Sequence, residues 1–117
     1  MTAAVFVVGN SRSGTTMMGR ILGRHGAVKM FRELHFFEEL WTPEDDLSSW
    51  DDAAAVRLAA TLTSIEREGY MAKRNIDGWQ AEAERVVASL PQARRRPGDV
   101  YRAFLQHELR QTGMSIA

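Results

Sequence analysis

Residues Ala3-Ala4-Val5-Phe6-Val7-Val8 form an unbroken apolar run, rich in β-branched side chains, that ends at Gly9. A strand with one wet face alternates polar and apolar positions; a run without alternation predicts a strand buried on both faces of a parallel sheet. Gly9 to Gly14 is small and polar and reads as a turn. From Thr15 the apolar period changes, and Met17, Met18, Ile21 and Leu22 share one face of a helix. That helix is expected to stop near His25-Gly26, where glycine takes the left-handed conformation that closes a helix.

Beyond Gly26 the pattern is helical throughout. Glu33–Trp41 is expected as a short helix broken before Pro43. Asp51–Glu68 is a longer one, with Val56, Ala59, Leu62 and Ile65 inward and Gly69 as its stop. Gln80–Leu90 should be helical up to Pro91, and Gly98–Thr112 should be helical with Val100, Tyr101, Phe104, Leu105 and Leu109 inward. This leaves the strand without a neighbour. The N–H and C=O groups of a doubly buried strand must be satisfied by adjacent strands, and only Met114-Ser115-Ile116-Ala117 could begin one. The sequence is therefore expected to be the N-terminal part of a single α/β domain, ending as its next strand begins.

Charge and composition narrow the chemistry. The 117 residues suit one domain at most. Fifteen basic and fifteen acidic side chains cancel, so no nucleic acid or anionic membrane is expected as a bulk partner, and any anion site must be local. The absence of cysteine excludes disulfides, thiolate metal sites and cysteine nucleophiles. No run approaches the ~20 apolar residues of a spanning helix, and Met1-Thr2-Ala3-Ala4 lacks the basic start of a secretory signal. A cytoplasmic protein without a membrane span is the expectation.

A buried strand, a glycine turn and a helix together aim backbone N–H groups and a helix N-terminus at one point, which suits an anion. The turn is Gly9-Asn10-Ser11-Arg12-Ser13-Gly14-Thr15-Thr16. Its glycine spacing is that of the P-loop pattern G-x-x-x-x-G-K-[ST], but Thr15 stands where the lysine belongs. In a nucleotide triphosphatase that lysine reaches the terminal phosphates. Here the nearby cation is Arg12, whose planar fork can hold phosphate or sulfate oxygens in pairs. The plainer alternative is a βα turn with a Ser/Thr helix cap.

At these residues the chain resembles the sulfotransferases that use 3′-phosphoadenosine 5′-phosphosulfate. Val7 to Thr16 looks like their 5′-phosphosulfate loop, in the Arg-Ser-Gly-Thr-Thr form of the tyrosylprotein sulfotransferases and many bacterial relatives. The resemblance implies an α/β fold related to P-loop kinases and a donor held by Arg12, Ser13, Gly14, Thr15 and Thr16. It implies that Arg12 also neutralises charge on the bridging oxygen, and that no metal is needed. In the same relatives the loop helix ends in a histidine, an extended stretch follows, and a catalytic glutamate comes next. Here His25, Val28 and Glu33 occupy those places without a gap. The family's Gly-Glu-Glu-Thr-like stretch is replaced by Phe31-Arg32-Glu33-Leu34, which points to a different acceptor.

Sulfuryl transfer to a hydroxyl needs a base as the oxygen attacks. From the residues alone, Glu33 is a helix-start carboxylate, favourable near a helix N-terminus; the resemblance makes it the base. His35 is its rival, because cytosolic-type sulfotransferases use histidine. Phe36, Phe37 and Trp41 read either as core aromatics or as the wall of an acceptor pocket. Glu44-Asp45-Asp46 and Asp51-Asp52 lack the ligand order of a metal site and read as solvated helix starts; Arg94-Arg95-Arg96 reads as a solvated loop, or as a steering patch for an anion.

The resemblance is convincing from Val5 to Glu39, and the region of about 33–113 is compatible with the family's variable acceptor side. The family's later strand and its Arg…Ser pair for the donor's 3′-phosphate are expected after Ala117, so these residues alone should be inactive. Two further readings stay open: a kinase-like P-loop nucleotide-binding protein, and a non-catalytic remnant or interaction module that keeps the loop as a structural turn.

Overall fold

The computed structural model describes residues 36–47, 49–69 and 71–112, together with Lys29, Phe31 and Leu34. The predicted strand at 3–8, the loop at 9–16, the helix after it and the segment 114–117 lie outside the described residues. The chain divides into two compact units, residues 32–105 and residues 1–31 with 106–117. Among the described residues none is in a strand. They form a π-helical turn at Phe36–Leu40, short 3₁₀ turns at Pro43–Leu47 and Gln92–Arg94, and three α-helices: α1 (Asp52–Glu68), α2 (Ile76–Ala88) and α3 (Pro97–Thr112).

Asp51 starts α1. Its backbone is extended (φ −72°, ψ 170°), and its carboxylate accepts the Ala54 N–H at 2.8 Å, a cap worth ~1 kcal/mol. Ala55, Leu58, Ala59, Leu62 and Ile65 are buried along one stripe, as the periodicity predicts for the last three. Val56 was expected inward and is instead half-exposed; it lines an open groove beside α2. The stripe also takes in Thr63, whose buried hydroxyl donates to the Ala59 carbonyl at 2.8 Å and so carries no unmet hydrogen bond inward. Gly69 ends the helix at φ 97°, ψ 153°, with its N–H donating to the Ile65 carbonyl at 2.9 Å. A side chain at that backbone position costs ~1–3 kcal/mol, so the stop read from the sequence is conformational.

Helices α1 and α2 pack against each other, and polar side chains fasten the connection. The Glu68 carboxylate accepts the Trp79 indole N–H at 2.6 Å and the Asn75 amide at 3.3 Å. Ser64 Oγ accepts the Asn75 backbone N–H at 3.1 Å. The Arg67 guanidinium lies 5.3 Å from the Trp79 ring centroid and pairs with Glu82 at 3.1 Å.

Helix α2 begins four residues before the predicted Gln80. Asn75 is its cap, with Oδ1 accepting the Gly78 N–H at 3.0 Å. Gly78, which resembles a breaker in sequence, makes that cap possible: a Cβ there would lie 2.4 Å from the Asn75 side chain. Gly78→Ala therefore sets two terms of like size against each other. Helix propensity gains ~1 kcal/mol and the displaced cap loses ~1 kcal/mol. Urea denaturation should show Gly78→Ala within about 0.5 kcal/mol of the parent, and stabilising by ~1 kcal/mol once Asn75 is already alanine.

Ser49 and Trp50 tie the start of α1 to the turn before α3. Ser49 Oγ donates to the Gln92 carbonyl at 2.7 Å and accepts the Arg95 N–H at 2.8 Å, while the Trp50 N–H reaches the Arg95 carbonyl at 2.9 Å. Helix α3 then starts at Pro97, whose fixed φ and missing N–H suit a first helical position. Asp99 Oδ2 accepts the Arg96 N–H at 3.4 Å. Val100, Phe104, Leu105 and Leu109 are buried as the pattern predicts, and Tyr101 is half-buried.

Candidate functional site

The described residues nearest in sequence to the predicted base form an aromatic cluster. Leu34 is buried, and the chain then makes one π-helical turn from Phe36 to Leu40 where a short α-helix over Glu33–Trp41 was expected. A turn of this kind carries one extra residue and re-aims its side chains. Phe36 goes inward at 3% exposure, whereas Phe37 stands out at 55%. The Phe36 ring packs on Tyr101 of α3 with centroids 4.1 Å apart, tilted by 35°. The Phe37 ring is edge-to-face with Phe36 (5.0 Å), Trp41 (5.5 Å) and Tyr101 (5.8 Å), the arrangement that ring quadrupoles favour. Burial raises the Tyr101 phenol above its ordinary 10.0, because the phenolate would lose its hydration; at neutral pH the cluster carries no charge there.

Three side chains of the acidic runs, Asp45, Asp51 and Asp52, serve local structure. Asp45 Oδ2 accepts the Thr42 N–H at 3.0 Å, and the Asp45 N–H returns to the Thr42 carbonyl at 3.0 Å. Asp51 is the α1 cap, and Asp52 pairs with Arg95. Arg95 is thus no solvated loop residue. Besides Asp52, its guanidinium donates to Gln92 Oε1 at 2.9 Å and to the Leu90 carbonyl at 3.4 Å. Arg94 and Arg96 on either side are exposed.

The open groove between α1 and α2 holds about 620 Å³. Val56, Ile76 and Val87 line it with Arg57, Asp77 and Glu84. Nothing in the sequence pattern marked it, since it depends on how the two helices meet.

The predicted donor residues Arg12, Ser13, Gly14, Thr15 and Thr16 lie outside the described residues, as do Glu33, its rival His35, and His25. Covalent geometry still bounds one relation. Phe36 and Phe37 lie three and four positions after Glu33, so their Cα atoms are within about 11 and 14 Å of the Glu33 Cα. Tyr101 was read only as an inward helix residue; its pairing with Phe36 and Phe37 joins positions far apart in sequence and has no local signal.

No helix among the described residues is long and apolar enough to cross a membrane. The profile of a family described as the Sulfotransferase family matches residues 4–111, a span that includes the loop at 9–16, Glu33 and the whole aromatic cluster. No curated protein and no solved structure matches the chain.

Proposed function

The chain belongs to the Sulfotransferase family, and from that premise we propose that it moves a sulfuryl group from 3′-phosphoadenosine 5′-phosphosulfate to an acceptor hydroxyl. Family membership implies a transferase with a P-loop-like sulfotransferase fold. In our reading, strand 3–8 is the first parallel strand of an α/β sheet and the loop at 9–16 is its phosphate cradle, in one domain whose acceptor side is built from about 33–113. The work is done in the cytoplasm.

In the reaction the acceptor oxygen attacks sulfur while the bond from sulfur to the bridging oxygen of the 5′-phosphate breaks. Glu33 takes the acceptor's proton. The products are a sulfate ester and adenosine 3′,5′-bisphosphate. Arg12, with the amides of Ser13, Gly14 and Thr15 and the hydroxyl of Thr16, holds the phosphosulfate and offsets the charge that gathers on the bridging oxygen. Positioning and electrostatics supply the rest of the acceleration, and no metal enters.

The observation that carries this reading is the loop itself: an apolar strand pattern, Gly9 and Gly14 at phosphate-loop spacing, Arg12 in place of the kinase lysine, and the Thr15-Thr16 pair, all inside the matched span. Arg12→Ala tests it. A two-pronged, charge-assisted contact is worth ~3 kcal/mol, so binding of adenosine 3′,5′-bisphosphate should weaken by roughly a hundredfold. Arg12→Lys keeps the charge but loses the fork, and should fall between. Calorimetry on the protein expressed from its natural reading frame reads both; equal affinities for parent and Arg12→Ala would reject the assignment.

A further inference from the structure

The groove between α1 and α2 is lined by one polar group that the fold leaves unanswered. Arg95 and Asp52 both line it, within the compact unit of residues 32–105. The two terminal nitrogens of Arg95 reach Asp52, Gln92 and Leu90, but its buried Nε–H has no hydrogen-bond partner among the described residues. A buried donor without an acceptor is costly and uncommon in a native fold. On the same edge of the guanidinium, Nη2 reaches the Leu90 carbonyl at 3.4 Å, near the limit for a hydrogen bond. Asp52 meets Nη1 instead, and its side chain is 73% exposed against 14% for Arg95. An ion pair with so exposed a partner is held weakly. Val56, Ile76 and Val87 make the rest of the lining largely apolar, and the volume of about 620 Å³ lies in the ~300–1,000 Å³ range of small-molecule sites.

We propose that the α1–α2 groove is a binding site for an apolar monocarboxylate of the medium-chain fatty acid kind, its carboxylate on Arg95 in place of Asp52 and its chain along Val56 and Val87. The inference stands apart from the sulfotransferase reading, since no lining residue belongs to the loop at 9–16 or is a candidate base. Arg95 already holds a carboxylate, that of Asp52, so the exchange replaces like with like. As Asp52 gives way, the guanidinium presents the edge made by Nε and Nη2, whose two parallel N–H groups match a carboxylate. The start of α1 at Asp52 adds a helix N-terminus, where negative charge is favoured. Asp77 and Glu84 line the α2 side of the groove and would repel a second negative charge, which selects one carboxylate over two.

The test is calorimetric titration of the protein, expressed from its natural reading frame, with octanoate, hexanoate, 1-octanol and octylamine. Octanoate is expected to bind. Hexanoate, two methylenes shorter, should bind roughly three- to tenfold more weakly. 1-Octanol should bind at least about tenfold more weakly, because its head carries no charge for Arg95. Asp52→Asn removes the competing carboxylate and should tighten octanoate by about threefold or more. Val56→Asp puts a negative charge on the apolar lining and should weaken octanoate by at least about tenfold. Both variants keep the Arg95 contacts to Gln92 and Leu90 and the Asp51 cap, so they read the groove without loosening its frame, and neither should alter the affinity for adenosine 3′,5′-bisphosphate. An octanoate Kd above about 5 mM, equal affinity for octanoate and 1-octanol, or a preference for octylamine would overturn the inference. So would octanoate binding that Asp52→Asn leaves unchanged or weakens.

Discussion

Replacing Glu33 with glutamine is expected to slow sulfuryl transfer by roughly a hundred- to ten-thousand-fold while the donor binds as before. Glutamine keeps the shape and hydrogen-bonding reach of the side chain but cannot take the acceptor's proton. The loss should therefore fall on kcat, with bisphosphate affinity unchanged. The same assay separates the two candidate bases. His35→Ala should keep activity within about threefold of the parent if Glu33 is the base; a collapse in His35→Ala with near-normal Glu33→Gln would give the role to the histidine. The assay is single-turnover transfer of labelled sulfate to a hydroxyl acceptor found by screening, which reads the chemical step apart from product release.

Phe104→Ala is expected to lower the unfolding free energy by about 3–5 kcal/mol. Among the described residues Phe104 is the largest fully buried side chain, and it sits beside Val100, also fully buried, on the inner face of α3. Truncation loses the transfer energy of the ring and leaves a cavity that fixed helices fill only in part. Against a typical total of ~5–15 kcal/mol, that loss is a large share of the whole. Phe104→Leu keeps most of the volume and should cost less than about 1.5 kcal/mol. Chemical denaturation of the three proteins measures the series. A loss under about 1 kcal/mol for Phe104→Ala would mean that the ring has no closed core around it.

Hydrophobic period found what depends on neighbours in sequence. α1 was legible because Asp51, Gly69 and the Leu62 and Ile65 stripe mark its start, stop and inner face together. α3 was legible for the same reason, and the structure moves its start by one residue, to Pro97. The beginning of α2 was missed because Gly78 reads as a breaker, although in place it leaves room for the Asn75 cap. Val56 was misplaced for a different reason: its spacing is right for an inner face, but it falls where α1 borders an open groove. The π-helical turn at Phe36–Leu40 was read as an α-helix because five residues are too few for their period to tell the two apart. Arg95 looked like one arginine of a solvated run, and only the fold shows it pairing with Asp52 and gripping Leu90 and Gln92.

The site divides along the same line. The stretch Gly9–Thr16 carried the resemblance because its candidate chemistry is concentrated in a few adjacent residues, and the family match over residues 4–111 agrees with that resemblance, while the loop itself lies outside the described residues. Glu33 is a candidate base only through that resemblance, since one carboxylate carries no local signal of basicity. The aromatic cluster was half legible: Phe36, Phe37 and Trp41 stood out as neighbours in sequence, but Tyr101 joins them from α3, and which ring stays exposed is decided by the turn geometry.

The most direct test of the central claim is calorimetric titration of the protein, expressed from its natural reading frame, with adenosine 3′,5′-bisphosphate and separately with ATP and magnesium. A sulfotransferase with the Arg12 loop should bind the bisphosphate with a Kd of roughly micromolar or below, without needing magnesium, and bind ATP far more weakly. Preference for magnesium-ATP, or no binding of either nucleotide, would contradict the account and return the loop to a kinase-like site or a structural turn.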